Sequence, residues 1–319
     1  MNEAFDAIGV IDHSTQARRR ENTETGTPLE IHYFADDATL AAHLADLTHC
    51  RTFPIALKHF PDGESLITIH SPVPEEVAII HSLNHPDEKM IHLSLAADAL
   101  RRAGATRLTL VAPYLAYMRQ DDVFKPGQPI SQRAIGRLLG GLFDRVLTVE
   151  AHLHRVKRLA EVVPSRLESR SLSAAPVIAD WLRKKAANTL LVGPDQESGR
   201  WIEEIGRRAG MKTTVGIKHR LGDRRVRVEI ANTHSLHRAV IVDDIASSGA
   251  TLAETARALR RKGIRAVSAV IIHAIFAPGA LSRIRRAGIA SIVSCDTVAH
   301  RTNRISVAPL LAQAFTERA

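Results

Sequence analysis

The run Ala239-Val-Ile-Val-Asp-Asp-Ile-Ala-Ser-Ser-Gly-Ala-Thr-Leu252 gathers the residues of this chain best suited to chemistry. Ala239 to Val242 is a short apolar run of the kind that forms a buried parallel strand. Asp243 and Asp244 stand where that strand is expected to end. Ser247, Ser248, Gly249, Ala250 and Thr251 then offer backbone N–H groups and hydroxyls without bulk. A helix expected over Leu252 to Lys262 would aim the positive end of its dipole at the same loop. Such a loop can hold a phosphate on N–H groups while the carboxylates take the hydroxyls of an attached sugar. An ordinary strand-to-helix turn with Asp as a cap is the plain alternative. The pattern fits a phosphosugar cradle better.

Five further clusters carry polar groups. Phe60-Pro-Asp-Gly-Glu64 joins an aromatic ring to Asp62 and Glu64 across a tight turn, either as a base-stacking ring with acceptors or as a plain hairpin. In Pro113-Tyr-Leu-Ala-Tyr-Met-Arg-Gln-Asp-Asp122, Arg119 and Gln120 are placed to grip a polyphosphate. The next segment, Val123 to Pro129 with Lys125, is a candidate lid; a plain surface loop is the alternative. Glu150-Ala-His-Leu-His154 puts His152 and His154 on one face of an extended chain, a weak metal-pair signal. Asp195 in Gly193-Pro-Asp195 can serve a Mg²⁺ ion or cap a helix. Lys218-His-Arg220 places two cations where they could clamp charge developing in phosphoryl transfer, or form a solvated basic turn.

The elements that must position these groups alternate. Strands are expected at Ile31 to Phe34, Phe53 to Phe60, Ser65 to His70, Val77 to His81, Arg107 to Ala112 and Arg145 to Val149. Helices are expected at Ala38 to Leu47, Lys89 to Ala103 and Ser131 to Phe143. After the stretch from Pro164 to Pro176 the alternation restarts. Helices are expected at Pro176 to Ala187, Glu197 to Ala209 and Leu281 to Arg286. Strands are expected at Thr189 to Val192, Lys212 to Lys218, Val226 to Ile230, Ala266 to Ala274 and Ser291 to Ser294. This order predicts an α/β protein of two similar domains, each a mostly parallel sheet flanked by helices. Every polar cluster follows a strand, where open α/β sheets bind ligands. Residues 1–28 read as a mobile extension, 29–165 and 166–304 as the two domains, and 305–319 as a terminal helix packing back on the first.

The 319 residues carry 43 basic and 34 acidic side chains, a net charge of +9 that suits an anionic partner. The basic residues are scattered, and aromatics make up only 4%, which argues against nucleic acid. Two distant cysteines give no disulfide framework, and no apolar run reaches membrane-spanning length. A cytoplasmic protein is expected.

Taken in order, Phe60-Pro-Asp-Gly-Glu64, Pro113 to Asp121, Pro129-Ile-Ser131, Arg145 to His152, Pro194-Asp195, Val242-Asp-Asp244 with its loop, and Cys295-Asp-Thr297 resemble the ribose-phosphate diphosphokinase (phosphoribosyl pyrophosphate synthetase) family. The resemblance runs from about residue 31 to the end. It implies two phosphoribosyltransferase-like domains with the active site between them, transferring the diphosphate of ATP to ribose 5-phosphate and releasing AMP. It further implies that Asp62 and Glu64, with Phe60 stacking, hold adenine from a neighbouring subunit of a homo-oligomer, and that Arg119 and Gln120 hold ATP. His152 and Asp195 become the Mg²⁺-associated positions, Lys218 the catalytic lysine and Arg220 its partner. Asp243 and Asp244 meet the ribose, and Ser247 to Thr251 its 5-phosphate. Departures are Glu150-Ala151 in place of Asp-Leu, Ser247 for Asp, Ala250 for Gly, and a lid with Lys125 and no Arg. The last resembles the archaeal-type branch. A non-catalytic nucleotide-binding relative and a phosphoribosyltransferase are the alternative readings.

Overall fold

A computed structural model describes residues 29–153, 155–184, 188–220, 226–233 and 236–317. The expected extension at 1–28 and His154 lie outside the described residues. So do the side chains of Lys218 and Arg220.

In chain order the first domain is β1 (Leu29–Tyr33), α1 (Ala38–Thr48), β2 (Arg51–Pro54), β3 (Ala56–His59), β4 (Ser65–Thr68), β5 (Glu76–Ile80), α2 (Pro86–Arg102), β6 (Arg107–Ala112), α3 (Ser131–Leu142), β7 (Arg145–Val149) and β8 (Glu168–Leu172). Six strands form one all-parallel sheet in the order β2-β1-β5-β6-β7-β8. The middle strands are buried on both faces, as their continuous Val, Leu and Ile content requires. Helix α2 starts at Pro86 with Asp87 and Glu88 in its first turn and ends on Arg101 and Arg102, complementing its dipole at both ends. Leu93, Ala96, Ala97 and Leu100 form its buried stripe. The strands β3 and β4 leave this sheet and pair only with each other, as an antiparallel hairpin turning at Gly63.

The second domain is α4 (Ala175–Arg183), β9 (Leu190–Gly193), α5 (Gly199–Ala209), β10 (Thr213–Arg220), β11 (Val226–Ile230), β12 (Arg238–Ile245), α6 (Ala250–Arg261), β13 (Ala266–His273), α7 (Ala280–Arg286), β14 (Ile289–Cys295) and β15 (Asn303–Ile305), followed by α8 (Ala308–Thr316). Its sheet runs β11-β10-β9-β12-β13-β14-β15, parallel except for the edge strand β11.

Three expectations change. The single strand expected over Phe53 to Phe60 divides at Ile55, Arg51–Pro54 pairing with β1 and Ala56–His59 with β4. β12 does not stop at Val242; it continues through Asp243 and Asp244 to Ile245, paired with β13 up to His273. The stretch expected to separate the domains contains β8, which pairs with β7 from Glu168↔Arg145 to Leu172↔Val149. The first sheet therefore runs past residue 165. Its sequence, Glu-Ser-Arg-Ser-Leu, lacks apolar alternation because one face is polar and partly open.

The core has three parts. One lies between the first sheet and α2 and α3, and another between the second sheet and α6 and α7. The third is shared: Ile31, Leu44 and Ile80 of the first domain pack with Ile178, Leu182, Ile272 and Leu311. Each such side chain contributes about 1.5–3 kcal/mol by leaving water. Helix α8 packs on α1. It is held by buried Arg145, which donates to the Ala314 carbonyl at 3.0 Å.

Candidate active site

The carboxyl ends of both sheets face one cavity of about 1690 Å³. In the second sheet the strand order reverses between β9 and β12, the position where open α/β sheets leave a crevice. Asp195 follows β9 there, and Asp243 and Asp244 lie on β12. The loop Ala246–Gly249 and the start of α6 complete this wall.

Why this loop opens is local. Gly249 caps α6 with φ +73°, a left-handed conformation that suits glycine. That turn brings the backbone of Ser247 to Thr251 to the positive end of α6. The loop is braced from outside: Ala277 N–H donates to the Ser247 carbonyl at 3.1 Å, and Arg283 Nη1 donates to the Ser248 carbonyl at 2.5 Å.

The opposite wall comes from the first domain: Arg119 beyond β6, Glu150 to Leu153 and Arg155 to Lys157 beyond β7, and Ser171 to Ser173 around the end of β8. His152 and Asp244 join the walls, with Nδ1 and Oδ2 2.6 Å apart. The Asp244 hydrogen bond and charge raise the imidazole pKa above its usual value against the opposing effect of burial. Burial works against the Asp244 carboxylate, but the His152 bond and positive charge, with His273, hold its pKa below the usual range. Asp244 Oδ1 also accepts from the Ile245 N–H at 2.7 Å, and Asp243 Oδ1 from the Asp244 N–H at 3.1 Å.

The cavity thus brings together Arg119, His152, Asp195, Asp243, Asp244 and the loop Ser247 to Thr251. Asp195 makes no side-chain cap bond to the short turn after it. Lys218 and Arg220 have their backbones on β10, and their neighbour Ile217 lines the cavity. Gln120 is not part of the lining; its Oε1 accepts from Ser131 Oγ at 2.7 Å, tying the two ends of the lid together. Phe60, Asp62 and Glu64 are not part of it either. They occupy the tip of the β3–β4 hairpin, where Phe60 is 39% exposed with Lys58 Nζ 5.5 Å from its ring centre. Asp62 Oδ1 accepts from the Glu64 N–H at 3.1 Å, so the turn is a true hairpin turn whatever else it does.

Several lining residues had no signal in the sequence argument. Arg155 and Lys157 come three and five positions after His152, and that clustering of cations beside the histidine could have pointed to them. Arg155 Nη1 reaches the lid at Asp121, 2.8 Å away, and its guanidinium lies 5.6 Å from the centre of the Phe124 ring. Trp201 and Glu204 of α5 also line the cavity, and nothing in their spacing marked them.

The donor set fits a hard cation that keeps most of its own water. Among the described residues no group of three or more His, Cys, Asp or Glu side chains is arranged to hold a metal unaided. Asp195 offers a carboxylate oxygen of the kind that Mg²⁺ takes together with substrate phosphates, and His152 stands on the facing wall.

Residues 29–141 match the family model described as the N-terminal domain of ribose phosphate pyrophosphokinase, and residues 171–308 match the phosphoribosyl transferase domain. The ribose-phosphate pyrophosphokinase of Methanopyrus kandleri is 30% identical over 88% of this chain and 96% of its own. That of Thermococcus kodakarensis is 32% identical over 81% of this chain and 90% of its own. A crystal structure of phosphoribosylpyrophosphate synthetase from Mycobacterium smegmatis shares the fold, with a TM-score of 0.78 at 22% identity over 90% of this chain and 97% of that one. The two matched domains, the near full-length relatives and the shared architecture establish that the chain belongs to the ribose-phosphate pyrophosphokinase family.

Proposed function

We propose that this protein transfers the diphosphate of ATP to ribose 5-phosphate, giving 5-phosphoribosyl 1-diphosphate and AMP. The observation that carries the reading is one cavity with Asp243, Asp244 and the loop Ser247 to Thr251 on the second domain's wall and Arg119, Arg155 and Lys157 on the first's. The loop Ser247 to Thr251 would seat the 5-phosphate on backbone N–H groups, with Asp243 and Asp244 on the ribose hydroxyls. Arg119 would neutralise the polyphosphate of the donor, with Gln120 holding the loop that presents it. The anomeric hydroxyl would attack the β-phosphorus, the bond from that phosphorus to the α-phosphate oxygen would break, and AMP would leave. Positioning and charge neutralisation dominate such a transfer. Lys218 is the residue proposed to counter the developing charge, assisted by Arg220.

His152 and Asp195 are the residues proposed to hold Mg²⁺, and Asp244 fixes the orientation of the His152 ring. Bound there, the ion would draw charge from the phosphoryl oxygens. The hairpin with Phe60, Asp62 and Glu64 stands clear of this subunit's own cavity, which supports an adenine pocket completed by a neighbouring copy in a homo-oligomer. A cytoplasmic setting goes with this reading. It is supported by the free thiols of Cys50 and Cys295 and by the lack, among the described residues, of a helix long and apolar enough to cross a membrane.

The test is detection of AMP from ATP, ribose 5-phosphate and Mg²⁺, with EDTA as the control. AMP formation that requires all three components supports the reading. Folded protein giving no AMP across several nucleotide donors would refute it.

A further inference from the structure

Glu150, directly after β7, has a φ of +41°. A side chain enters that region against steric resistance, so something must hold it. Three bonds do. Its N–H donates to the Leu172 carbonyl at 2.8 Å, and a carboxylate oxygen accepts from the Ala174 N–H at 2.8 Å, at the entry to α4. The third crosses between the domains: its carbonyl oxygen lies 3.2 Å from Nε2 of His273, the last residue of β13.

His273 is buried, at 1% exposure, and is absent from the cavity lining. A carbonyl oxygen only accepts, so the Glu150 bond is made by the tautomer with its proton on Nε2, in which the Thr297 hydroxyl turns from the Ile272 carbonyl to donate to Nδ1. Burial depresses its pKa to about 4, which keeps the ring neutral. Its Nδ1 faces Thr297 Oγ1 at 2.9 Å, and that hydroxyl also lies 2.7 Å from the Ile272 carbonyl. The Thr297 carbonyl accepts in turn from Ser82 Oγ at 2.5 Å, beyond β5 of the first domain. His273 is therefore gripped from both domains with no nitrogen left for acid–base work.

We propose that His273 is a positioning residue whose Nε2–H bond to the Glu150 carbonyl fixes the left-handed turn and so sets His152 against Asp244. Glu150 is two residues from His152, and the turn between them decides where the imidazole stands. The same bond joins the domain of the nucleotide-side residues to the domain of the sugar-phosphate loop. Its loss would blur the distance between donor and acceptor without removing any group that touches either. This role rests on the reaction proposed above.

The test compares full-length wild type with His273→Leu, which has similar bulk and no donor, and His273→Gln, whose amide N–H can stand near Nε2. In the Leu variant we expect kcat to fall on the order of 30-fold, with KM for ribose 5-phosphate changed by less than about threefold. The Gln variant should recover most of kcat. Nitrogen-15 spectra of the imidazoles, read without substrate, should show the His152 ring displaced from its wild-type signature in Leu and restored in Gln. Wild-type kcat with an unchanged His152 signature in the Leu variant would overturn the proposal. Should the Leu variant not fold, a folded Gln variant decides: a wild-type His152 signature supports the role, and a displaced one overturns it. If wild type makes no AMP, the reaction assigned above fails, while the His152 spectra still test the positioning on their own.

Discussion

Replacing Gly249 with alanine puts a methyl group into the one loop on which the acceptor side depends. The backbone there has φ +73°, and the added Cβ would lie 2.7 Å from Cγ1 and 2.9 Å from Cδ1 of Ile284, with the Ala280 carbonyl at 3.3 Å. Left-handed backbone costs alanine about 1 kcal/mol relative to glycine. Ile284 is fully buried and cannot swing away, so overpacking adds about 1–3 kcal/mol. The loop is the softer partner and should move first, carrying the Ser247 to Thr251 N–H groups off the phosphate. Two to four kcal/mol then appears as ribose 5-phosphate binding weakened by between about 30-fold and about 1,000-fold. Titration calorimetry with ribose 5-phosphate reads this directly, and KM for ATP should stay within about twofold because the donor wall is untouched. Ribose 5-phosphate affinity within about threefold of wild type, in a protein with an unchanged melting temperature, would refute the placement of the phosphate in this loop.

Three other outcomes are expected. His32 and His273 are buried and neutral, with pKa values lowered to about 4, mainly by burial and for His32 also by the charge of His70. The unfolded chain takes up protons at both rings from about pH 6.5 downward while the folded protein waits until near pH 4, so stability should fall as pH drops through that window and level off above it. The loss is at most about 3 kcal/mol per ring, and urea unfolding of wild type and His32→Phe across pH 4.5 to 7.5 should show a shallower slope in the variant. Phe60→Ala should raise KM for ATP by about tenfold with the melting temperature little changed, because the ring is already half in water; steady-state kinetics with unaltered KM would count against the adenine role. Arg145→Met should cost about 2 kcal/mol by removing one of the two guanidinium partners of Glu168, whose Oε1 lies 2.7 Å from Arg145 while Oε2 stays 3.0 Å from Arg107, and by freeing α8 from its carbonyl anchors. Chemical denaturation measures that loss, and faster proteolysis near Ala314 should accompany it.

How legible was this in the residues? Where a side chain's role is decided within its own strand, loop and helix, the sequence argument reached it. Val240 to Val242, the small residues Ser247 to Ala250 and the alternation of elements around them are local signals, and they pointed to residues that line the cavity. Where a role is decided by what arrives from elsewhere, it did not. Asp243 and Asp244 look like the end of a strand because acidic residues disfavour sheets, yet pairing with β13 carries the strand past them. Glu168 to Leu172 has no strand pattern of its own and is made a strand by the open edge of β7. Glu150 stands out in the sequence only as a departure from the family's Asp, and its carboxylate accepts from the distant Ala174 N–H. Burial also raises its pKa above the usual range. The partner of His273 sits 123 positions away, beyond the reach of any motif.

The shared core has a consequence for how the protein comes into being. The apolar face of α1, with Leu40, Ala41 and Leu44, is covered by α8, and Arg145 finds its carbonyl partner 169 positions downstream. As the chain emerges from the ribosome, the first domain can form its own sheet but leaves that face wet until almost all of the second has been made. Such a half-finished surface is what chaperones hold and what aggregates if they do not. The finished molecule gains in return. Neither domain can melt without exposing the other, so heating should give one absorption peak in calorimetry where two independent domains would give two.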